Sequence, residues 1–137
     1  MTLGEYLTML LEGDAGVSAI AGDRIYSEVL KQRGATPAVV FTVIAGDDDH
    51  AMDGPTGVRW LVVQVDAWAD SRPLASALGR ALRALLSGHT GGAAGFEVQG
   101  MFCTGDVWLF EPDAGTADRG LYRESQTYDV ATSGVEQ

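Results

Sequence analysis

The sequence of 137 residues is poor in cysteine, since Cys103 is the only one. No disulfide can form within the chain, and a zinc site built from several cysteines is excluded. Basic residues are also scarce: nine Lys and Arg stand against nineteen Asp and Glu, which gives a formal net charge of -10 at pH 7. DNA and anionic membrane surfaces select patches of Lys and Arg, so this charge disfavours unaided binding to either.

Long hydrophobic runs are absent as well, because no apolar stretch approaches the ~20 residues that a membrane-spanning helix requires. The segment from Met1 to Glu5 lacks the basic flank and the apolar run of a signal peptide. Hydrophobic residues nevertheless make up 46% of the chain, which is enough for the core of one ordinary domain. We expect a single domain over residues 1–137, with a polar tail from about residue 132, in a soluble intracellular protein.

Two short helices are predicted near the N-terminus. Thr2 and Glu5 have the spacing of a capping box, and apolar residues recur at helical intervals until Gly13. Asp14 is a suitable cap for a second, shorter helical piece, which Gly22 ends.

A longer helix is predicted to begin after Asp70 or Ser71, either of which can cap it, and to end at Gly88. Its apolar face follows helical offsets and consists of Leu74, Ala77, Leu78, Ala81, Leu82 and Leu85. The other face carries a basic stripe formed by Arg72, Ser76, Arg80, Arg83 and Ser87. Such a stripe is usually solvated, and the alternative is that it contacts acidic loops of an adjacent copy.

Strand patterns occupy much of the remaining chain, at Pro37–Ile44, Arg59–Trp68, Phe96–Phe102, Val107–Phe110 and Leu121–Ala131. Residues 104–106, Thr-Gly-Asp, predict a hairpin turn between the third and fourth of these runs. The order of elements predicts an α+β fold. We expect a mostly antiparallel sheet of about four to five strands, with an N-terminal helix and one long helix packed on one face.

The run from Arg59 to Trp68 alternates between two faces. The face expected to join the core consists of Leu61, Val63, Val65 and Ala67. The other face is mixed and consists of Trp60, Val62, Gln64, Asp66 and Trp68. We expect its two tryptophans to be covered within the same chain, and cover by a neighbouring subunit is the alternative.

The segment GDDDHAMDGPTG, residues 46–57, is predicted to be an exposed connecting loop with a turn at residues 53–55, Asp-Gly-Pro. Its candidate contact residues are Asp47, Asp48, Asp49, His50 and Asp53. The segment is no EF-hand, because alignment puts Ala51 at a ligand position and Trp60 at the closing glutamate. A looser metal site formed by Asp47, Asp49, His50 and Asp53 is the alternative.

Motifs for other chemistry are missing. Cys103, His50 and His89 lie in no recognised catalytic signature, and no serine lies in G-x-S-x-G. The glycine-rich residues 91–95 lack the Gly-Lys-Ser/Thr ending of a phosphate-binding loop and precede a strand. We therefore predict no catalytic residue, no bound metal and no cofactor.

Five stretches, in this order along most of the chain, carry a resemblance to a known family: AGVSAIAGDRIY, TPAVVFTVI, DHAMDGPTGVRWLVVQVDAWA, the leucine-rich helix and LYRESQTYDV. They are similar to the tail completion proteins of long-tailed phages, small tail-terminator or tail-to-head joining proteins also found in prophages and gene transfer agents. The most specific pieces are Gly22–Tyr26, Asp53–Gly57 and Val63–Trp68. Many members have a proline where this chain has Ser27, which affects only the local turn.

The resemblance implies a structural virion protein of the tail or neck, without catalysis, assembled in the host cytoplasm. It implies a hexameric ring of copies that caps the head-proximal end of the tail tube. The implied partners are the chain itself, the tail tube protein and the head-tail connector or stopper protein.

Charge is consistent with such a ring. DNA would pass through without specific binding, because an acidic ring repels the phosphate backbone. Arg72, Arg80 and Arg83 would complement acidic groups of the neighbouring copy. Two other functions remain open: a head-completion or stopper ring of the same neck, and a metal-dependent hydrolase that uses the loop from Asp47 to Asp53.

Overall fold

The computed structural model describes residues 2–27, 36–113 and 116–134. In chain order the elements are α1 (Leu3–Glu12), α2 (Ala15–Ala21), β1 (Ile25–Ser27), β2 (Ala38–Ala51), β3 (Gly54–Ala69), α3 (Arg72–Leu86), β4 (Gly91–Ala93), β5 (Phe96–Asp113) and β6 (Thr116–Gly134). The α+β class is confirmed, but the sheet formed by the described residues has six strands, more than predicted. Two of them, β1 and β4, have only three residues each, too few to show an alternating pattern in the sequence.

The helices begin where the sequence predicts. At α1, the Thr2 hydroxyl accepts a hydrogen bond from the Glu5 backbone N–H at 3.1 Å, and the Thr2 N–H donates to the Glu5 carboxylate at 3.1 Å. The Asp14 carboxylate caps α2 by accepting from the Val17 N–H at 2.9 Å, and Ser71 caps α3. In the described ranges, no helix is long and apolar enough to cross a membrane.

The strands form one sheet in the order β1-β2-β3-β6-β5-β4. Neighbouring strands are antiparallel, except that β1 is parallel to β2. The long strands pair as two hairpins, β2 with β3 and β5 with β6, and β3 joins the hairpins by pairing with β6. β6 continues to Gly134, beyond the predicted start of the polar tail.

The predicted connecting loop at residues 46–57 is wrong, because this segment forms the end of a β-hairpin. β2 continues to Ala51 and β3 begins at Gly54, so only Met52 and Asp53 connect them. Aspartate, glycine and proline are depleted in strands and common in turns, which is why the composition predicted a long loop. Backbone pairing between the two strands overrides that local preference.

The predicted hairpin turn at residues 104–106 is also wrong, because β5 is one continuous strand through this segment. Its register on β6 shifts between Cys103 and Gly105, as expected of a bulge. A glycine inside a strand marks a bulge as readily as it marks a turn. The Thr-Gly-Asp sequence alone therefore could not distinguish the two.

The helices pack on one face of the sheet. The predicted core residues of β3 are all buried: Leu61, Val63, Val65 and Ala67. They lie in one cluster with leucines of α1 and α3, namely Leu3, Leu7, Leu11, Leu78, Leu82 and Leu86. On the other face, Trp60 is 41% exposed, so the expected cover within the same chain is wrong for this side chain. Trp68 is half-buried, and the Arg123 guanidinium lies 5.0 Å from its ring centre.

The two hairpins extend from opposite ends of the sheet. β3 runs antiparallel to β6, with Val58 opposite Ser133 near one end and Ala69 opposite Tyr122 at the other. The turn of the β2–β3 hairpin is therefore at one end of the sheet, and the paired residues Asp113 of β5 and Thr116 of β6 are at the other. We call the turn end of the β2–β3 hairpin, which carries Asp47–Asp49 and Asp53, the acidic hairpin end. It lies at the end of the sheet opposite the start of α3.

A contact between Tyr6 and His89 links α1 to the segment after α3. The Tyr6 hydroxyl and His89 Nε2 are 2.7 Å apart, and the two ring centres are 5.9 Å apart. Burial lowers the pKa of His89 and raises the pKa of Tyr6, so both groups are favoured in their neutral forms.

This contact predicts a pH dependence of stability. Because the folded-state pKa of His89 lies below its usual value of 6.5, the unfolded chain binds the proton more tightly. The stabilising contribution of neutral His89 is therefore present above that usual value and is lost as the pH falls below it. We expect the unfolding temperature of His89→Gln to fall less than that of the unchanged protein between about pH 7.5 and pH 5. Equal responses in His89→Gln and in the unchanged protein would contradict the prediction.

Candidate functional site

The end of the β2–β3 hairpin carries the acidic candidate residues, and each has a different surrounding. Asp48 forms an ion pair with Arg59 at 2.9 Å, and the Asp49 carboxylate accepts a hydrogen bond from the Thr56 hydroxyl at 2.8 Å. His50 Nδ1 lies 3.0 Å from the Asp48 carbonyl oxygen. Asp47 and Asp53 are exposed and have no hydrogen-bond or ion-pair partner among the described residues. The hairpin end therefore presents uncompensated negative charge to its surroundings.

Two glycines allow the chain to turn at this end. Gly54 has a backbone φ of 125° and Gly57 has a φ of 88°, and residues other than glycine rarely adopt such positive values. Both positions are open, with no atom near the place that a Cβ would occupy. The predicted turn at residues 53–55 is thus close to the observed connection, which consists of Met52 and Asp53.

The alternative metal site has no support in the geometry of this hairpin. Within residues 2–27, 36–113 and 116–134, no group of three or more His, Cys, Asp or Glu side chains could hold a metal ion. Asp48 and Asp49 are engaged with Arg59 and Thr56, as their hydrogen bonds show. Strand pairing thus spreads the predicted ligands along the hairpin.

The arginine stripe on α3 divides into two parts. Arg72 and Arg80 are exposed, and the Arg72 guanidinium lies 5.3 Å from the ring centre of Tyr122. Arg83 instead donates to Glu124 at 2.6 Å and to Asp106 at 3.1 Å. Since α3 starts at the end of the sheet opposite the acidic hairpin end, one chain does not bring its own Asp47 to Arg72.

A buried polar network beneath α3 was missed by sequence reasoning. Glu124, Gln126 and Tyr128 alternate along β6 on the face that α3 covers, and each is at most 1% exposed. The Tyr128 hydroxyl donates to the Gln126 side-chain oxygen at 2.6 Å. The Gln126 amide donates to the Glu124 carboxylate at 2.5 Å and to the Gly79 carbonyl at 2.8 Å. These hydrogen bonds hold α3 on the sheet. The sequence did not reveal the network, because the alternation of polar residues in QTYDV gives no sign that the polar side of the strand is buried.

Exposed large hydrophobic side chains concentrate on the two hairpins. They are Val43, Ile44, Met52, Trp60, Phe102, Val107, Trp108 and Phe110, and within the described part of the chain only Met9 lies elsewhere. The Trp60 and Phe102 rings stack at 6.5 Å between centres. Exposed apolar groups that cluster in this way are typical of surfaces that contact another protein.

Comparisons with known proteins bear on the whole chain. A family model described as tail completion protein gp17 matches residues 5–133. Among solved structures, a chain in the virion of a native gene transfer agent (GTA) particle is similar in fold, with 18% sequence identity and a TM-score of 0.67. That match covers 97% of this chain and 96% of that chain. No curated protein gives a match.

Proposed function

Because the chain belongs to the tail completion protein gp17 family, we propose that it forms a ring that caps the head-proximal end of a tail tube and joins it to the head connector. The family match confirms the resemblance noted in the sequence and makes the chain a structural tail protein. The observation that carries the proposal is the extent of this match, which includes nearly all of the sheet and all of α3.

The distribution of charge supports a head-to-tail ring. Uncompensated acidic groups lie at one end of the sheet, whereas Arg72 lies at the other end and Arg80 farther along α3. Contacts between unlike surfaces of identical subunits generate a closed ring when the rotation between copies closes. We propose a hexamer in which Asp47, Asp48, Asp49, His50 and Asp53 contact a neighbouring copy or a tail or connector protein.

The same ring would sit in the neck of the particle. Its proposed partners are the tail tube protein and the head-tail connector or stopper protein, and its assembly takes place in the host cytoplasm. Its net charge of -10 per chain would repel the phosphate backbone, so DNA would pass without being retained. The role is structural and involves no catalysis.

The test is electron microscopy of particles made by the parent element with a stop codon placed early in this gene. Separate capsids and unjoined tails, especially tails of irregular length, are the expected result. Unjoined capsids beside tails of regular length would favour the head-completion or stopper ring. Normal joined particles would contradict both proposals.

Replacing Asp47, Asp48 and Asp49 together by serine is expected to reduce the yield of joined particles while the isolated chain remains folded. Among the described residues, the ion pair that is lost is that of Asp48 with Arg59, which is exposed and contributes about 0–1 kcal/mol. Joining is measured by particle counts, and folding by thermal unfolding.

A matched control removes the same charge elsewhere, through serine at Glu12, Asp70 and Glu97, which are also exposed. We expect this control to join normally. Equal joining by both triple variants would contradict a contact at the acidic hairpin end.

A further inference from the structure

One edge of the sheet lacks a strand over most of its length. On the side of β5 away from β6, β4 pairs only with Phe96 to Val98. The Met101 carbonyl oxygen accepts a hydrogen bond from the Gly88 N–H at 2.7 Å, and from Phe102 to Glu111 no strand of the described residues lies on that side. We call this segment the open β5 edge. A long unpaired edge presents backbone N–H and C=O groups that can pair with another chain.

Exposed apolar side chains lie on the same segment. Phe102 is 51% exposed, Val107 55%, Trp108 47% and Phe110 37%. Val107 and Trp108 are consecutive in the strand, so they point to opposite faces of the sheet. A strand added at the open β5 edge would therefore satisfy the backbone and bury apolar groups on both faces.

A second incomplete edge lies on the other side of the sheet. β1 pairs only with Val39 to Phe41 of β2. From Thr42 to Ala51, β2 pairs with β3 on one side, and no other strand of the described residues pairs with it on the other side. We call this segment the β2 arm. It carries Val43 and Ile44, which are 39% and 54% exposed.

We propose that the β2 arm of one copy pairs with the open β5 edge of the next copy, so that the sheet continues from subunit to subunit. The two edges bound opposite sides of one sheet, and within the described residues of one copy they are not paired with each other. Because each copy offers one edge of each kind, the contact is head-to-tail and propagates, as a ring requires. The inference rests on the proposed ring function and names the contact that builds the ring.

Charge argues against pairing between two β2 arms. Such pairing would bring the aspartates at positions 47–49 of two copies together, and like charges opposite each other destabilise a sheet. On the open β5 edge, by contrast, Asp106 and Glu111 are already paired with Arg83 and Arg123 within the chain. Each arginine is shared with a second carboxylate, Glu124 or Asp66, so this edge keeps some negative charge. Both edge carboxylates nevertheless have a cationic partner, whereas Asp47 of a second β2 arm has none among the described residues.

Engineered disulfides test the contact directly. In a Cys103→Ala background, cysteine is placed at Val43 or Ile44 together with Phe102, Val107 or Trp108, and particles grown under reducing conditions are purified and then oxidised. For at least one pair we expect a ladder of covalent oligomers on a non-reducing gel, and no ladder from either single replacement. Dimers from a β5 cysteine alone would mean that two open β5 edges pair, which would overturn the proposal. The absence of cross-links in joined particles from every pair would also overturn it.

A charged substitution provides a second test that does not depend on the register. Val107→Lys should leave the isolated chain folded, because the side chain is exposed. It should lower the yield of joined particles about tenfold or more, because the lysine charge would lie against apolar side chains of the added strand on that face of the sheet. Met9→Lys is the matched control, since Met9 is 46% exposed on α1 and lies on neither edge. Normal joining by a folded Val107→Lys chain would overturn the edge contact.

The proposed function and the proposed edge contact can be contradicted separately. If particles lacking the gene still join, the proposed function is wrong. If joining requires the gene but Val107→Lys joins normally and no pair cross-links, the ring function stands and the edge contact is wrong.

Discussion

Replacing Arg83 by leucine is expected to lower the free energy of unfolding by about 3–5 kcal/mol. The Glu124 carboxylate is 1% exposed and receives the Arg83 guanidinium at 2.6 Å. Without that guanidinium, Glu124 keeps the Gln126 amide but loses its cationic partner in a place that water does not reach. A buried charge left unpaired costs far more than an exposed ion pair contributes. Chemical denaturation of the purified chain measures the difference.

Two further variants separate this effect from a general loss of packing on α3. Arg80→Leu removes an exposed arginine from the same helix and should change the free energy of unfolding by no more than about 0.5 kcal/mol. The double variant Arg83→Leu with Glu124→Leu removes both charges and should recover part of the loss. If Arg83→Leu behaves like Arg80→Leu, the ion pair with Glu124 does not stabilise the fold.

Replacing Gly79 by alanine is expected to lower the free energy of unfolding by about 2–3 kcal/mol, although alanine ordinarily favours a helix over glycine by about 1 kcal/mol. Gly79 lies inside α3, directly over β6. A Cβ at this position would collide with the Glu124 carboxylate. The helix would have to move away from the sheet, and the bond from the Gln126 amide to the Gly79 carbonyl would be lost.

Gly4→Ala is the matched control for this substitution. Gly4 is also helical, but a Cβ there would have its nearest neighbours at 3.6 Å, in the Phe41 ring, and at 3.7 Å, at the Thr2 hydroxyl. These are ordinary contacts, so we expect unchanged or slightly higher stability. The same denaturation measurement applies to both variants, and a Gly79→Ala protein as stable as the Gly4→Ala protein would refute the close approach of α3 to Glu124.

Local interactions account for what was predicted correctly from the sequence. The capping box at Thr2 and Glu5 involves residues only three positions apart, and its two hydrogen bonds form as expected. The apolar periods that predicted α3 and the core face of β3 depend only on the geometry of a helix and a strand. The family resemblance, which the match over residues 5–133 confirms, also came from the order of short stretches.

Contacts between distant parts of the chain decided the rest. Residues 46–57 and 104–106 have the composition of turns, but pairing partners supplied by β3 and β6 keep both within strands. From its position on the exposed stripe of a helix, Arg83 was predicted to be solvated or to contact an adjacent copy. It is held within the chain because Glu124, 41 residues later, lies beneath α3.

The open β5 edge likewise follows from strand order and from the short length of β4, neither of which is set by local sequence. The sequence by itself thus determined the helices, the core face and the family, because short-range geometry is enough for each. Only the tertiary structure decided which charges are free and which strand edges are open, because both depend on what long-range pairing leaves unsatisfied.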